Sequence, residues 1–281
     1  MSLSPLTYWK PKTILADYID CYWRLKGYLG LPGVRLIPHY YTEVIINLGN
    51  PHILIEANNR HLKYFWVNGP KQTPVSIFNL MHSHFIAIRF KPAGLNMFFS
   101  YPAADFLDKI IDCDLVFGSK INSLRESLGE ANTDEEILQR LNQFFISKLK
   151  DLSKTKTKSI EIISDSLSEL SQNLNINLQE LANDYGLSYR QFLRYFQETV
   201  GVSPKMIQRL EKFQRSAISL TEANYKKMVE VANENEYFDQ AHFSKSFKEF
   251  TNLTPMEYFS LLKKNNPVPV GKFPLIIPLQ N

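Results

Sequence analysis

Two short runs concentrate the side chains best suited to reading a polar surface. In SYRQFLRYFQ, residues 188–197, Ser188, Arg190, Gln191, Arg194 and Gln197 recur at intervals that gather along one side of a helix. In DQAHFSK, residues 239–245, Gln240, His242 and Lys245 take comparable places. An arginine guanidinium can donate a forked pair of hydrogen bonds to guanine O6 and N7. A glutamine carboxamide can pair with adenine N6 and N7. Both runs therefore have the chemistry of direct base readout in a DNA major groove. Lys212 and Arg215, further along, could reach phosphates or simply form a solvated face.

Other chemistry has weaker support. His82-Ser83-His84 would place two imidazoles on one face of a strand, a candidate metal pair. The nearest further donors, His39 and Glu43, are badly spaced to complete it, and packed or solvated histidines are the simpler reading. No Gly-x-Ser-x-Gly, phosphate-cradling glycine loop or His-Glu-x-x-His occurs. Cys21 and Cys113 are far apart and in no metal spacing, which points to inert thiols in a reducing compartment. The expectation is a chain that is not an enzyme, with no catalytic residues, no metal and no cofactor. Aromatics such as Tyr8, Trp9, Tyr22, Trp23 and Tyr41 could line a pocket for an apolar or sugar-like effector, or form ordinary core. Arg89, at a strand end, could hold an anionic ligand.

Something must hold the two polar runs in place, and an internal repeat supplies it. LANDYGLSYRQFLRYFQETVGVSP, 181–204, lies on VANENEYFDQAHFSKSFKEFTNLTP, 231–255. Leu181-Ala182-Asn183 matches Val231-Ala232-Asn233, and Phe192 and Phe196 match Phe243 and Phe247. The offset is 50 residues before the turn and 51 after it, so the second copy has gained one residue at the turn. Each copy reads as helix, sharp turn, helix. Asn177 and Ser188 can cap the two helices of the first unit, and Gly186 permits the left-handed exit between them. Gly201 ends the second helix, and Ser203-Pro204 begins the next. Of the large apolar residues Tyr237, Phe238, Phe243, Phe247 and Phe250, the phenylalanines build a small core. Ile207, Leu210, Phe213, Ala217 and Leu220 give the connecting helix an apolar stripe. This is helix-turn-helix geometry, in which the second helix offers its N-terminal half to a major groove.

The stretches NLQELANDYGLS, FLRYFQETVGVSP, KFQRSAISL and YFDQAHFSKSFKEFTNLTP resemble the DNA-binding domain of the AraC/XylS family of bacterial transcription regulators. The resemblance covers roughly residues 159–264. It implies two helix-turn-helix units on one long connecting helix, with double-stranded DNA as partner. Glu236 and Asn252 stand where that family usually has glycines. LIPHYYTEVIINLG, VNGP and RFKPAGLNMFFSYPAADFLD resemble, more loosely, a cupin-like domain found before such units. From this follow an effector-sensing or dimerising role, a small-molecule effector, a homodimer and contact with RNA polymerase. The resemblance also implies a cytoplasmic bacterial protein that joins the nucleoid when bound to DNA.

The remaining signals set the layout. The 281 residues suggest about two domains. No run approaches the ~20 apolar residues of a membrane span. Between Ser159 and Lys264, 12 Lys/Arg face 14 Asp/Glu, so bulk charge alone would not hold DNA. Ahead of this lie strand-like runs at 34–38, 42–49, 52–57, 63–69, 74–80 and 84–90, separated by turn residues. Helices are expected at 93–100, 103–109, 122–128 and 133–149. The last of these opens with a Thr133–Glu136 capping box, and its apolar stripe suits core or dimer contact. The expected fold is α+β: an antiparallel β-rich domain over 1–150 with appended helices, then an all-α domain over 159–266. KDLSKTKTKS around 151–158 reads as a linker or a frayed helix end. A Pro-rich tail over 267–281 reads as extended, with Phe273, Leu275, Ile276 and Ile277 available to pack on a domain surface.

Overall fold

In the computed structural model, residues 6–28, 32–49, 53–55, 60–62, 64–78, 80, 82–98, 101–149, 154–222, 228–265 and 276–279 are described. The N-terminal unit is a sandwich of two antiparallel sheets. Its strands are β1 Leu6–Trp9, β2 Ile19–Tyr28, β3 Gly33–Leu36, β4 Thr42–Asn47, β5 Ile53–Ile55, β6 Arg60–Leu62, β7 Phe65–Asn68, β8 Val75–Phe78, β9 His82–Phe90 and β10 Ile110–Asp112. The larger sheet has the order β1-β2-β9-β4-β7-β10. The smaller begins with β11, Ile276–Leu279, and continues β3-β8-β5-β6.

The two-residue period of the strands divides the larger sheet into two faces. Tyr22, Val44, Ile46, Val67, Ile86 and Ile88 point to one side, each fully buried. Ile45, Trp66, Phe85 and Ala87 point to the other, against the smaller sheet. Burying each such side chain stabilises the fold by about 1.5–3 kcal/mol relative to exposure. The first face is covered by helices α1 Asp114–Phe117, α2 Lys120–Glu130 and α3 Asp134–Ile146. Thr133 caps α3 by accepting from the Glu136 N–H at 3.2 Å. The Glu136 carboxylate reaches back to the Asn132 N–H rather than to Thr133. Phe145 of α3 lies 5.7 Å from the Phe90 ring and 5.6 Å from Phe98. The buried residues of the α3 stripe, Ile137, Leu141 and Phe145, therefore belong to the core.

Several expectations need correction. Residues 93–98 and 103–109 hold only short 3₁₀ turns, Gly94–Met97 and Ala103–Phe106, and 99–100 lie outside the described residues. A Cβ at Gly94 would stand 2.1 Å from the Tyr18 carbonyl oxygen, so this turn is pressed onto backbone. Strands β1, β2, β6 and β10 are not among the strand-like runs that the sequence displays. Residues 154–158 are the first residues of helix α4, Lys154–Gln172, while 151–153 lie outside the described residues. Phe273 and Leu275 do too. Ile276–Leu279, by contrast, form a strand in register with β3, pairing Ile276 with Leu36 and Pro278 with Val34. A proline is tolerated there because β11 is an edge strand, which needs no donor on its outer side.

The C-terminal unit is helical: α4, then α5 Leu178–Asp184, α6 Tyr189–Thr199, α7 Pro204–Glu222, α8 Met228–Glu234, α9 Gln240–Thr251 and α10 Pro255–Asn265. Its core is built from Leu181, Phe192, Phe196, Phe213, Val231, Phe243, Phe247 and Phe250. Ile37, Tyr40 and Ala93 of the N-terminal unit belong to the same cluster. Among the described residues no helix is long and apolar enough to cross a membrane.

Candidate nucleic-acid interface

The two repeats fold alike, and the same hydrogen bonds make the same turn. In the first, the Gly186 N–H donates to Asn183 O at 2.8 Å and the Leu187 N–H to Ala182 O at 3.0 Å. In the second, Glu236 donates to Asn233 O at 3.1 Å and Tyr237 to Ala232 O at 3.0 Å. Gly186 has φ +67° and Glu236 φ +62°. A side chain in this left-handed region costs about 1–2 kcal/mol. Neighbours hold Glu236 there. Its carboxylate accepts from Asn175 Nδ2 at 2.8 Å, and its carbonyl accepts from Lys212 Nζ at 3.2 Å.

This settles the role of two cations. Lys212 also donates to Asn175 Oδ1 at 2.8 Å, and Arg215 donates to the Ser171 carbonyl. Lys212 and Arg215 are thus engaged within the protein and do not form a free solvated face. Lys212 ties α7 to the elbow of the second unit and to the segment between α4 and α5, and Arg215 ties it to the last turn of α4.

The recognition helices α6 and α9 bury their aromatics and expose their polar residues. Phe192 and Phe196 pack edge to face at 4.9 Å, and Phe243 and Phe247 at 5.6 Å. Phe213 of α7 lies 5.2 Å from Phe247 and 5.0 Å from Phe250. The stripe Ile207, Leu210, Phe213, Ala217 and Leu220 is buried, as its spacing requires. Ser188, Arg190, Gln191, Arg194 and Gln197 are all exposed on the first unit, and Gln240, His242 and Lys245 on the second.

They are not equally free. Ser188 and Gln191 form a capping box. The Gln191 N–H donates to Ser188 Oγ at 3.3 Å, and Gln191 Oε1 accepts from the Ser188 N–H at 3.1 Å and hydroxyl at 2.9 Å. Ser188 is therefore committed to the helix end, and Gln191 keeps only its amide donor for an outside partner. Arg194 stands 3.8 Å from Glu198, a loose exposed pair of little strength. Among the described residues, Arg190, Gln197, Gln240 and Lys245 have no hydrogen-bond or ion-pair partner. On the second unit Asp239 caps α9 by accepting from the His242 N–H at 2.6 Å, and the His242 ring sits edge-on to Tyr237 at 5.5 Å.

Phe238 corrects the expectation that the phenylalanines all build the core: it is 91% exposed. The two turns match residue for residue up to Tyr237, and the helix caps Ser188 and Asp239 match beyond it. Phe238 is therefore the residue gained by the second copy. The one-residue change of offset was the signal. It places a fully exposed aromatic at the mouth of α9.

Glu43 is not brought to the His82–His84 pair. His84, on β9, lies opposite Lys26 of β2, whereas Glu43 lies opposite Arg89, five residues further along β9. That separation is about 17 Å.

The N-terminal unit grips the C-terminal ends of both recognition helices. Asn96 Nδ2 donates to Thr199 O, at the end of α6, at 3.0 Å. Arg35 of β3 donates to Thr251 O, at the end of α9, at 3.1 Å. Gly201, φ +86°, is packed so closely that a Cβ would stand 2.7 Å from Ala103 O. The Tyr40 hydroxyl donates to the Glu211 carboxylate on α7.

Residues 181–260 match the family of the helix-turn-helix domain, and residues 8–112 match a domain of unknown function (DUF6597). No protein of curated function matches the chain. Among solved structures it is similar to ToxT from Vibrio cholerae, at 14% identity over 91% of this chain and 98% of that chain, with a TM-score of 0.46. ToxT of the same organism bound to an unsaturated fatty acid is similar at 15% identity, over 85% and 93% of the chains, with a TM-score of 0.41. A probable AraC family transcriptional regulator from Rhodopseudomonas palustris is similar at 18% identity over 36% of this chain and 95% of that chain, with a TM-score of 0.33. These scores are too low to carry weight; the matched region and the two identical turns carry the assignment. The helical half of this chain carries a helix-turn-helix domain built as two matched units, set behind a β-rich N-terminal domain.

Proposed function

We propose that the chain is a sequence-specific DNA-binding transcription regulator in which α6 and α9 enter adjacent major grooves. The observation that carries this reading is the pair of matched turns, each delivering a helix with buried phenylalanines and an exposed polar face. In this reading residues 159–266 read DNA and residues 1–150 sense an effector. Arg190, Arg194 and Gln197 supply the base and phosphate donors of the first unit, with the Gln191 amide beside them. Gln240, His242 and Lys245 supply those of the second. Phe238 adds an apolar contact, suited to a thymine methyl or a deoxyribose. Ser188 serves by holding the helix end. A homodimer reading paired half-sites and a contact with RNA polymerase belong to the same reading.

Acidic residues outnumber basic ones over 159–264, 14 to 12, so non-specific affinity is small and the salt dependence shallow. Selection of binding sites from random duplex DNA by the full chain tests the proposal. The expected product is a motif with two read segments about one helical turn, ~10 bp, apart. Failure to enrich any motif, with and without candidate effectors, would remove the DNA reading and leave the helical faces for a protein partner.

A further inference from the structure

One end of the N-terminal sandwich is polar where the rest is apolar. Cys21, Arg89, Glu43 and Asn68 are successive cross-strand partners on β2, β9, β4 and β7, and so share one face of the larger sheet. All four are buried, as is His39. Arg89 donates to Glu43 Oε1 through Nε at 2.9 Å and Nη2 at 2.7 Å. Against the upward push of burial, that guanidinium holds Glu43 below the usual carboxylate range. Asn68 Oδ1 and His39 Nδ1 are buried without a hydrogen-bond partner.

A cleft of about 380 Å³ opens beside Cys21 and Arg89 of this set, between Tyr8, Trp9, Tyr41, Lys10 and Lys91, and Glu43, Asn68 and His39 do not line it. This is the size of a small-molecule site. Lys10 is paired with Asp20 at 2.7 Å, and Arg89 with Glu43. Lys91 has no ion-pair partner among the described residues, so the cleft holds one positive charge in excess. Three aromatic rings make up much of the remaining wall. Cys21 lies in the cleft lining, but burial pushes its thiol up to about 12, so it is no nucleophile for capturing a ligand.

The cleft also touches the helical unit through a chain of three contacts. The Arg89 guanidinium lies over the Tyr41 ring at 4.9 Å. Tyr41 stacks on Tyr40 at 4.8 Å between ring centres. Tyr40 donates to Glu211 on α7, the helix that joins both recognition units. A ligand drawing on Arg89 must disturb the partner of Tyr41, and the disturbance is passed to α7.

We infer that this cleft binds a small planar organic monoanion, held by Lys91 and Arg89 against Tyr8, Trp9 and Tyr41, and that occupancy alters DNA affinity through Tyr41, Tyr40 and Glu211. The second half rests on the DNA reading above, and the first does not.

Calorimetric titration of the full chain, without DNA, with indole-3-acetate, 2-naphthoate and hexanoate tests the first half, with the amide of each as control. The expected result is binding of the two aromatic carboxylates, at least about tenfold weaker binding of their amides, and a similar loss in Lys91→Ala, an exposed rim substitution that leaves the fold intact. No binding at about 10 mM, well above the dissociation constant that a dozen-atom ligand reaches at ordinary efficiency, would overturn it. Amides binding as well as acids would overturn the anion, and hexanoate binding as well as indole-3-acetate would overturn the planar body. For the second half, DNA affinity is compared with and without saturating indole-3-acetate in wild type and in Tyr40→Phe. That variant keeps the ring stack and loses the hydroxyl contact to Glu211. A shift in wild type that disappears in Tyr40→Phe supports the relay. An equal shift in both, or none in wild type, refutes it. Loss of all DNA binding in every sample would sink the DNA reading while leaving the calorimetric test of the cleft untouched.

Discussion

Gly186 and Gly201 form a matched pair that can measure the contact between the two units. Both have positive φ, +67° and +86°. A Cβ on Gly186 would meet nothing within 4 Å, whereas one on Gly201 would stand 2.7 Å from Ala103 O and 2.8 Å from Ala103 C. Alanine at either site incurs the left-handed penalty of about 1–2 kcal/mol. Stiffening of the unfolded chain returns about 0.4–1 kcal/mol. Gly186→Ala should therefore cost about 1 kcal/mol. Gly201→Ala adds overpacking against backbone of the other unit, which cannot swing aside, at about 1–3 kcal/mol. Its total should be about 2–4 kcal/mol, and the excess over Gly186→Ala belongs to the interface. Urea unfolding with two probes separates the contributions. All three tryptophans, Trp9, Trp23 and Trp66, lie in the β-rich unit, while ellipticity follows mainly the helices. In Gly186→Ala the helical transition should move while the fluorescence transition stays with it or nearly so. In Gly201→Ala the two transitions should come apart. Equal losses within about 0.5 kcal/mol, with transitions that remain coincident in both variants, would refute the idea that Gly201 is a contact point between units.

Arg194→Ala should cost about 1–3 kcal/mol of specific DNA binding and relax preference at one base pair, read by competition with single-base operator variants; an unchanged profile would take Arg194 off the contact face. Phe238→Ala should leave stability within about 0.5 kcal/mol, because the ring is 91% exposed, yet weaken operator binding several-fold. A loss of stability with unaltered DNA affinity would place Phe238 in the fold rather than the interface. Burial lowers the His39 imidazole to about 3, so the folded chain binds fewer protons than the unfolded chain between pH ~6.5 and ~3. Stability contributed by the neutral ring is full above pH ~6.5 and falls below it, by up to about 1.4 kcal/mol per pH unit. His39→Asn should flatten that slope in urea titrations at several pH values, and a slope unaltered by the substitution would assign the acid sensitivity to other groups.

The helical half was legible because its signals are local. Caps at Asn177, Ser188 and Asp239, the turn at Gly186 and the spacing of Phe192 and Phe196 each specify structure within a few residues. The repeat then made each unit a check on the other. The β-rich half was legible in part. Its buried strands β4 and β9 announce themselves as apolar runs. β2 carries Asp20, Arg24 and Lys26 among its aromatics, and β6 and β10 are three residues long, so neither pattern nor length marks them. The site was legible by residue type but not by engagement. That Gln191 is half spent on Ser188, that Lys212 serves the second elbow and that Arg215 serves the end of α4 depends on partners as many as 44 residues away. Phe238 was hidden by composition: among so many buried phenylalanines, only the one-residue offset distinguishes it.

The pairing of β11 with β3 joins positions about 240 residues apart. During synthesis the smaller sheet must wait, one strand short, while the whole helical unit emerges from the ribosome. Loop closure over such a span is entropically expensive, so this strand should be among the last elements to settle. Until then β3 presents an open edge, the kind of surface on which nascent chains associate wrongly. β3 is also the strand that bears Arg35, the contact to the end of α9. The yield of correctly assembled protein should therefore depend on how fast this segment follows the helices. A chain cut before Ile276 should refold its two units individually yet form soluble oligomers through the uncovered strand.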